Sequence, residues 1–258
     1  STYIGTGTGG ILVDAGVSCK ALLTALSARD IRPDTIRGLF LTHEHIDHIK
    51  GVRVLLKKYA IPLFASRETL EWLADRGELP STGPVQEISA STLIAIGDME
   101  VRPFATSHDS LSSFGYAVNL PDGRRISVAT DLGYVSDEVH QAIHGSDLVL
   151  LESNYDEAML RCGPYPYPLK RRIASDSGHL SNDSSALEAR TLRAVNYSHP
   201  RWRELLRPEA RRGKKRVNLL AIGDVGSTLL TALVLTGSDA ISQIGICDLS
   251  EKVTARWE

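Results

Sequence analysis

The chain has 258 residues, of which 42% are hydrophobic and 23% charged, and its formal net charge is -2. That is enough chain for one large or two modest domains with real cores, and the composition is ordinary for a globular protein. It contains no run of 18 apolar residues, which excludes a helical membrane span. It also lacks a signal-peptide pattern at the start and any C-x-x-C pair or disulfide framework among Cys19, Cys162 and Cys247, so the cytoplasm is the expected compartment.

In chain order, Thr2-Tyr3-Ile4 reads as the middle of a strand. Ile11-Leu12-Val13 is a strand ending in Asp14-Ala15-Gly16, and Ser18 is a suitable N-cap for a helix through Ala28 with Leu22, Leu23 and Leu26 as its stripe. Pro33 interrupts the chain before the apolar strand Gly38-Leu39-Phe40-Leu41. Ile49 onward reads as a helix with Val52, Leu55 and Leu56 on one face, ending near Tyr59. Pro62-Leu63-Phe64 is a short strand, and Ser66 opens a helix that stops at Gly77. Ser91 to Ile96 and Met99 to Phe104 read as strands joined by Gly97-Asp98. Gly115 to Asn119 and Arg125 to Ala129 flank Pro121-Asp122-Gly123, a hairpin signal. A helix from about Ser136 to Ile143 and an apolar strand Leu148 to Leu151 follow. Strand clusters with helices between them fit an α/β protein, a four-layer αββα sandwich with ligands on loops at one sheet edge.

The chemistry concentrates in Thr42-His43-Glu44-His45-Ile46-Asp47-His48, directly after the apolar strand. A strand end is a rigid mount for ligands. His-x-His puts two imidazoles on one side of an extended segment, and the following Asp-His can face a second ion. Imidazole and carboxylate together suit zinc, manganese or iron. His43, His108, Asp131 and Glu152 all lie at or just beyond the C-terminal end of a predicted strand.

This H-x-H-x-D-H stretch resembles the signature of the metallo-β-lactamase fold superfamily. The resemblance implies that His43, His45 and His108 bind one metal, that Asp47 and His48 bind a second, and that Asp131 bridges both. A water shared by two such ions has its pKa lowered to roughly 7, giving hydroxide at neutral pH. The finer resemblance, over residues 1 to about 182, is to the YycJ/WalJ-like branch. It rests on the segments Ile11 to Ser18, Ser107-His108-Asp109, Ala129 to Val135, Leu151 to Asp156, and Arg161 to Lys170 continuing through Ser175 to Asn182. That branch resembles metal-dependent exonucleases acting on DNA from the 5′ end. The implied function is a dinuclear metal-dependent hydrolase with two divalent ions, zinc or manganese, and DNA as substrate. The resemblance implies His179 as general acid with Glu152 orienting it; a ligand role for His179 is the competing assignment. Lys170, Arg171 and Arg172 are consecutive cations suited to phosphates. The alternatives are hydrolysis of a lactone, thioester or β-lactam, or an impaired fragment whose basic segment binds nucleic acid.

After Asn182 the family pattern is lost. A second His-Leu-Ser motif, which would give the last ligand of the second metal, is missing, and His199 stands in an unrelated context. The second ion is therefore expected to be weakly held, or completed by His179. Residues 183–216 read as a basic linker or patternless join. Val217 to Ile222, Gly223-Asp224-Val225-Gly226, an apolar helix and Gln243 to Cys247 ending in Asp248 make a partial Rossmann-like βαβ unit. That tail resembles the start of a lactate/malate dehydrogenase-like protein, yet it lacks a nicotinamide pocket, so useful NAD binding is not expected. The expected domains are 1–182, 183–216 and 217–258. Both ends read as truncated, and the expectation is a chain that joins the end of one gene to the start of another.

Overall fold

The computed structural model describes residues 1–79, 83–196, 215–220 and 241–247. They fall into two units, the first comprising 1–152 and 166–180, the second 153–165 and 181–258.

The first unit opens with strands β1 (Thr2–Thr6) and β2 (Gly9–Val13), then helix α1 (Cys19–Ser27). Ser18 caps α1 as expected, its hydroxyl accepting from Ala21 N. After a 3-10 turn at Pro33–Thr35 come β3 (Ile36–Phe40), α2 (Ile46–Ile49), α3 (Val52–Lys58), β4 (Leu63–Ala65), α4 (Arg67–Asp75) and β5 (Val85–Glu87). The expected helix from Ile49 is divided at Lys50-Gly51 into α2 and α3. β5 was not expected, and the reason is its composition: all three residues are exposed, so it has no apolar signature. The second half supplies β6 (Ile94–Ile96), β7 (Met99–Ala105), β8 (Phe114–Asn119), β9 (Arg125–Ala129), α5 (Asp137–Ile143) and β10 (Leu148–Leu151). β6 is shorter than expected because Ser89 to Thr92 close a turn, with Thr92 N donating to Ser89 O at 2.9 Å.

Two five-stranded sheets result, ordered β1-β2-β3-β4-β5 and β10-β9-β8-β7-β6. β2 to β5 run parallel; β2 to β4 are buried strands of the kind that helices cover, and β5 is the exposed edge. The second sheet is antiparallel apart from the β9–β10 pair. Alternation along the first sheet divides its side chains between two cores. Leu12, Leu39, Leu41, Leu63 and Ala65 pack with Leu22, Leu26, Val52, Leu55, Leu56 and Leu73 of the helices. Ile11, Val13, Phe40 and Phe64 face the other way, onto Met99, Val101, Tyr116, Val118 and Val128 of the second sheet. Phe40 stacks on Phe64 at 4.4 Å and meets Tyr116 edge-on at 5.5 Å. α5 packs against β7 and β9 on the far side through the buried Val139 and Ile143. These are the four αββα layers. Leu55 is wholly buried, so Leu55→Ala is expected to cost about 2–5 kcal/mol in urea unfolding. A change within error would mean that this helix–sheet core is not packed as described.

The unit also holds α7 (Tyr167–Ile173); before it, in the second unit, lies α6 (Glu157–Cys162). Neither helix buries a residue, and each is short, which explains why the sequence showed no clear period there. The second unit contains α8 (Asn182–Asn196) and a parallel pair, β11 (Lys215–Leu220) with β12 (Ile241–Cys247). α8 occupies the first part of the stretch 183–216 that was read as a basic linker or patternless join. Its start is capped by Ser181, whose hydroxyl accepts from Ser184 N at 3.2 Å. Of the tail read as a Rossmann-like unit, the described residues are those of this strand pair; the glycine turn, the intervening helix, Asp248 and His199 lie outside them.

Candidate metal centre

The centre is built where β2, β3, β7 and β9 end. Asp14 follows β2 with φ of 61°, a conformation that Asp tolerates better than most residues. Its buried carboxylate accepts from Thr42 N at 2.8 Å and Thr42 Oγ1 at 2.9 Å, and pairs with His48 Nδ1 at 2.8 Å. One side chain thereby fixes both ends of the loop His43–His48. Ala15 N donates to His48 O at 2.9 Å, and a Cβ on Gly16 would lie 1.5 Å from the Asp47 carbonyl oxygen. Only glycine admits that approach.

Six side chains then converge. His43 is fully buried; its Nδ1 lies 3.0 Å from Thr42 Oγ1, and its buried Nε2 has no partner among the described residues. His45 Nδ1 lies 3.3 Å from His108 Nε2, and His108 Nδ1 lies 2.9 Å from the Gly178 carbonyl, to which it donates. His48 Nε2 is 2.8 Å from Asp131 Oδ2. Asp131 Oδ1 is 3.4 Å from His179 Nδ1, which also meets Glu152 Oε1 at 2.7 Å. Glu152 Oε2 accepts from Leu132 N and Leu180 N. Three groups have ligand atoms within 4.8 Å of one another: His43, His45 and His108; His43, His48 and Asp131; His108, Asp131 and His179.

The electrostatics suit cations. Burial, and next the neighbouring His48, push His43 down to about 2, so it is a neutral donor. Burial alone would lower His48, but its bonds to Asp131 and Asp14 outweigh that and raise it to about 10. Burial opposes ionisation of Asp131, yet His48 holds it at about 2. A proton shared in this way sits where a metal ion would otherwise balance the carboxylates. His179 is raised, chiefly by its bond to Glu152. The donor set of neutral imidazoles plus carboxylate fits zinc or manganese. The orphaned Nε2 of buried His43 is the clearest sign, because a buried ring nitrogen without a partner is costly.

The sequence-predicted residues separate on this geometry. His43, His45, His48, His108, Asp131 and His179 come together, and Glu152 stands behind His179. Asp47 does not join any of the three groups among the described residues; it is exposed, 3.8 Å from His48 Nε2. On α7, Arg171 and Arg172 are exposed and Lys170 half-buried; Arg172 is ion-paired with Asp109. The role of Asp14 was not anticipated, although a carboxylate at a strand end before Ala-Gly was a usable signal. The Gly178 carbonyl offers no such signal. Such outer partners orient the ligands, so Asp14→Ala should weaken metal affinity about 10–100-fold, read by competition with a chromogenic chelator. Unchanged affinity would show that Thr42 alone holds His48.

A fold of two packed sheets with these ligands at their edge defines the class. The chain belongs to the beta-lactamase superfamily domain family, whose model matches residues 10–198. It is 40% identical over 188 residues to the exodeoxyribonuclease YycJ of Bacillus anthracis, covering 72% of this chain and 70% of that protein. It is 35% identical over 188 residues, with the same coverage, to the exodeoxyribonuclease WalJ of Streptococcus pneumoniae serotype 2. Among solved structures, the metallo-beta-lactamase fold protein YhfI of Bacillus subtilis matches with a TM-score of 0.63 at 16% identity, covering 95% of this chain and 87% of that one, a likeness of fold. The chain is a metal-dependent hydrolase of the YycJ-like branch. No helix among the described residues is long and apolar enough to cross a membrane.

Proposed function

We propose that the chain is a dinuclear metal-dependent phosphodiesterase, a 5′-to-3′ exonuclease acting on DNA. Two divalent ions, zinc or manganese, would supply Lewis-acid chemistry at such a site, lowering the pKa of water and adding positive charge. His43, His45 and His108 would hold one ion, and His48 and Asp131 would hold the other, with Asp47 exposed beside His48. The carrying observation is the Glu152–His179 pair set against Asp131. Glu152 fixes the ring through Nδ1 and raises its affinity for a proton. His179 therefore stores a proton next to the cluster and delivers it to the departing sugar oxygen, a poor leaving group without one. Glu152 is itself immobilised by Leu132 N and Leu180 N, so the ring is held in one orientation. The cations of α7 supply phosphate contacts along the strand, and the exodeoxyribonuclease names of the relatives support DNA as the polymer.

The test compares 5′-phosphorylated duplex DNA with a chromogenic β-lactam, with manganese or zinc added. Mononucleotide release from the 5′ end with no lactam turnover is expected. Lactam turnover without nucleotide release would replace this reading with hydrolysis of another bond.

A further inference from the structure

Where α1 packs against α3, the first unit carries an open groove of about 660 Å³. Lys20, Leu23, Thr24, Ser27 and Ala28 line it along α1, and Lys58 reaches it from the end of α3. The α1 residues recur at three- and four-residue spacing and so share one helical face, along which the groove runs for about 12 Å. Its Lys20 end is joined to the metal loop. Gly51, three residues after His48, donates from its N to Ala15 O at 2.7 Å, and a Cβ there would lie 2.5 Å from Val17 O and 3.2 Å from Cys19 N. The first turn of α1, which holds Lys20, therefore abuts the chain that leaves the ligands. No carboxylate lines the groove. α1 and α3 contain no acidic residue, and α3 adds Arg53 and Lys57, although the whole chain has a net charge of -2. Among the described residues neither Lys20 nor Lys58 has an ion-pair partner. Lys57 and Lys58 stand in the last turn of α3, where cations offset the helix dipole, an ordinary arrangement. Lys20 has no such explanation: it stands in the first turn of α1, the positive end, with no acidic residue beside it.

Two unpaired ammonium groups, two hydroxyls and no carboxylate along one groove suit a ligand that repeats negative charge along its length. A nucleic-acid strand carries one phosphate per about 3.4 Å of rise, so about three phosphates match a groove of about 12 Å. Resting on the phosphodiesterase reading, we infer that the α1–α3 groove receives the sugar-phosphate backbone of the DNA beyond the metal centre. Lys20 and Lys58 meet phosphates there, and the hydroxyls of Thr24 and Ser27 add neutral donors. Contacts of this kind position a polymer without reading its bases, which suits an enzyme that degrades any sequence from an end. The groove holds the DNA; the histidines and Asp131 act on its terminus.

The experiment uses the metal-loaded protein and a 5′-phosphorylated DNA duplex protected by phosphorothioate linkages, with affinity read by fluorescence anisotropy between about 50 and 200 mM salt. Each phosphate contact to duplex DNA contributes about 0.9 to the slope of log affinity against log salt. Lys20→Ala combined with Lys58→Ala should therefore lower that slope by about 1.8, so that the affinity lost over this range is roughly tenfold smaller than for the wild type. Lys20→Arg combined with Lys58→Arg should keep the wild-type slope, since a guanidinium also binds phosphate. Both lysines are exposed, so the melting temperature of either double variant should match the wild type. A wild-type slope in the alanine variant would overturn the groove as the path of the backbone. An arginine variant as defective as the alanine one would overturn it too, because the charge would then not be what the site supplies. Hydrolysis of bis(p-nitrophenyl) phosphate by the wild type separates the two readings. If that diester is cleaved while the alanine variant keeps the wild-type slope, only the groove inference fails; if it is not cleaved, the phosphodiesterase reading fails and takes the inference with it.

Discussion

Asp131→Ala is expected to lower kcat/KM by at least ~10³-fold, since on the proposed function several kcal/mol of charge stabilisation would depend on ions that this carboxylate helps to hold. Asp131 belongs to two of the three ligand groups. Its Oδ2 faces His48 and its Oδ1 faces His179; His43 and His108 likewise each belong to two groups, so Asp131 is the carboxylate among three side chains that link them. Metal content by elemental analysis should fall with the rate. Asp131 has φ of 53°, a left-handed conformation that alanine adopts poorly, so the alanine variant combines a backbone cost with the lost ligand. Asp131→Asn separates the two. Asparagine tolerates that backbone and keeps the shape, yet it lacks the charge that balances two cations. The asparagine variant should unfold at nearly the wild-type temperature while still losing metal and activity. Wild-type metal content in Asp131→Asn would show that the Asp131 charge is not needed to hold the ions and would overturn its assignment as a shared ligand.

Much of this centre was legible because its chemistry is dense. Three histidines and an aspartate lie within six residues, a histidine and an aspartate follow at later strand ends, and the fold brings five of these six side chains into groups that could hold a metal ion. The sheet strands were legible for a different reason. Leu12, Leu39 and Leu63 alternate with Ile11, Phe40 and Phe64, and both sets are apolar because each faces its own core. What escaped the sequence lacks either signal. β5 is exposed and pairs through its backbone. Helix α8 begins with polar residues whose start is fixed by Ser181, a local bond and not an apolar stripe. The grip of Gly178 on His108 is made by a carbonyl, which every residue possesses. Asp47 is expected from the motif to be a ligand; its carboxylate is exposed 3.8 Å from His48 Nε2, and its carbonyl oxygen occupies the space that a Cβ on Gly16 would need.

The second large effect is at His179, and it decides between proton donor and metal ligand. His179→Gln should lower kcat on DNA by ~10²–10⁴-fold, the usual contribution of a positioned general acid. Its distances permit either role, because it stands with His108 and Asp131 in a possible ligand group while its Nδ1 is held by Glu152. The Glu152 bond favours the donor: it fixes the ring by the same nitrogen that faces Asp131, and it strengthens proton binding. A donor is needed in proportion to how poor the leaving group is. The His179→Gln defect should therefore be large on DNA, where a sugar oxygen departs, and small on a p-nitrophenyl ester of a nucleotide, whose phenolate leaves without a proton. Metal content should remain at the wild-type value. A ligand behaves otherwise: its loss lowers metal content and slows both substrates alike. Equal defects on the two substrates with reduced metal would therefore transfer His179 from proton delivery to the metal, and would leave Asp131 and His48 with a third protein ligand in place of the motif that this chain lacks.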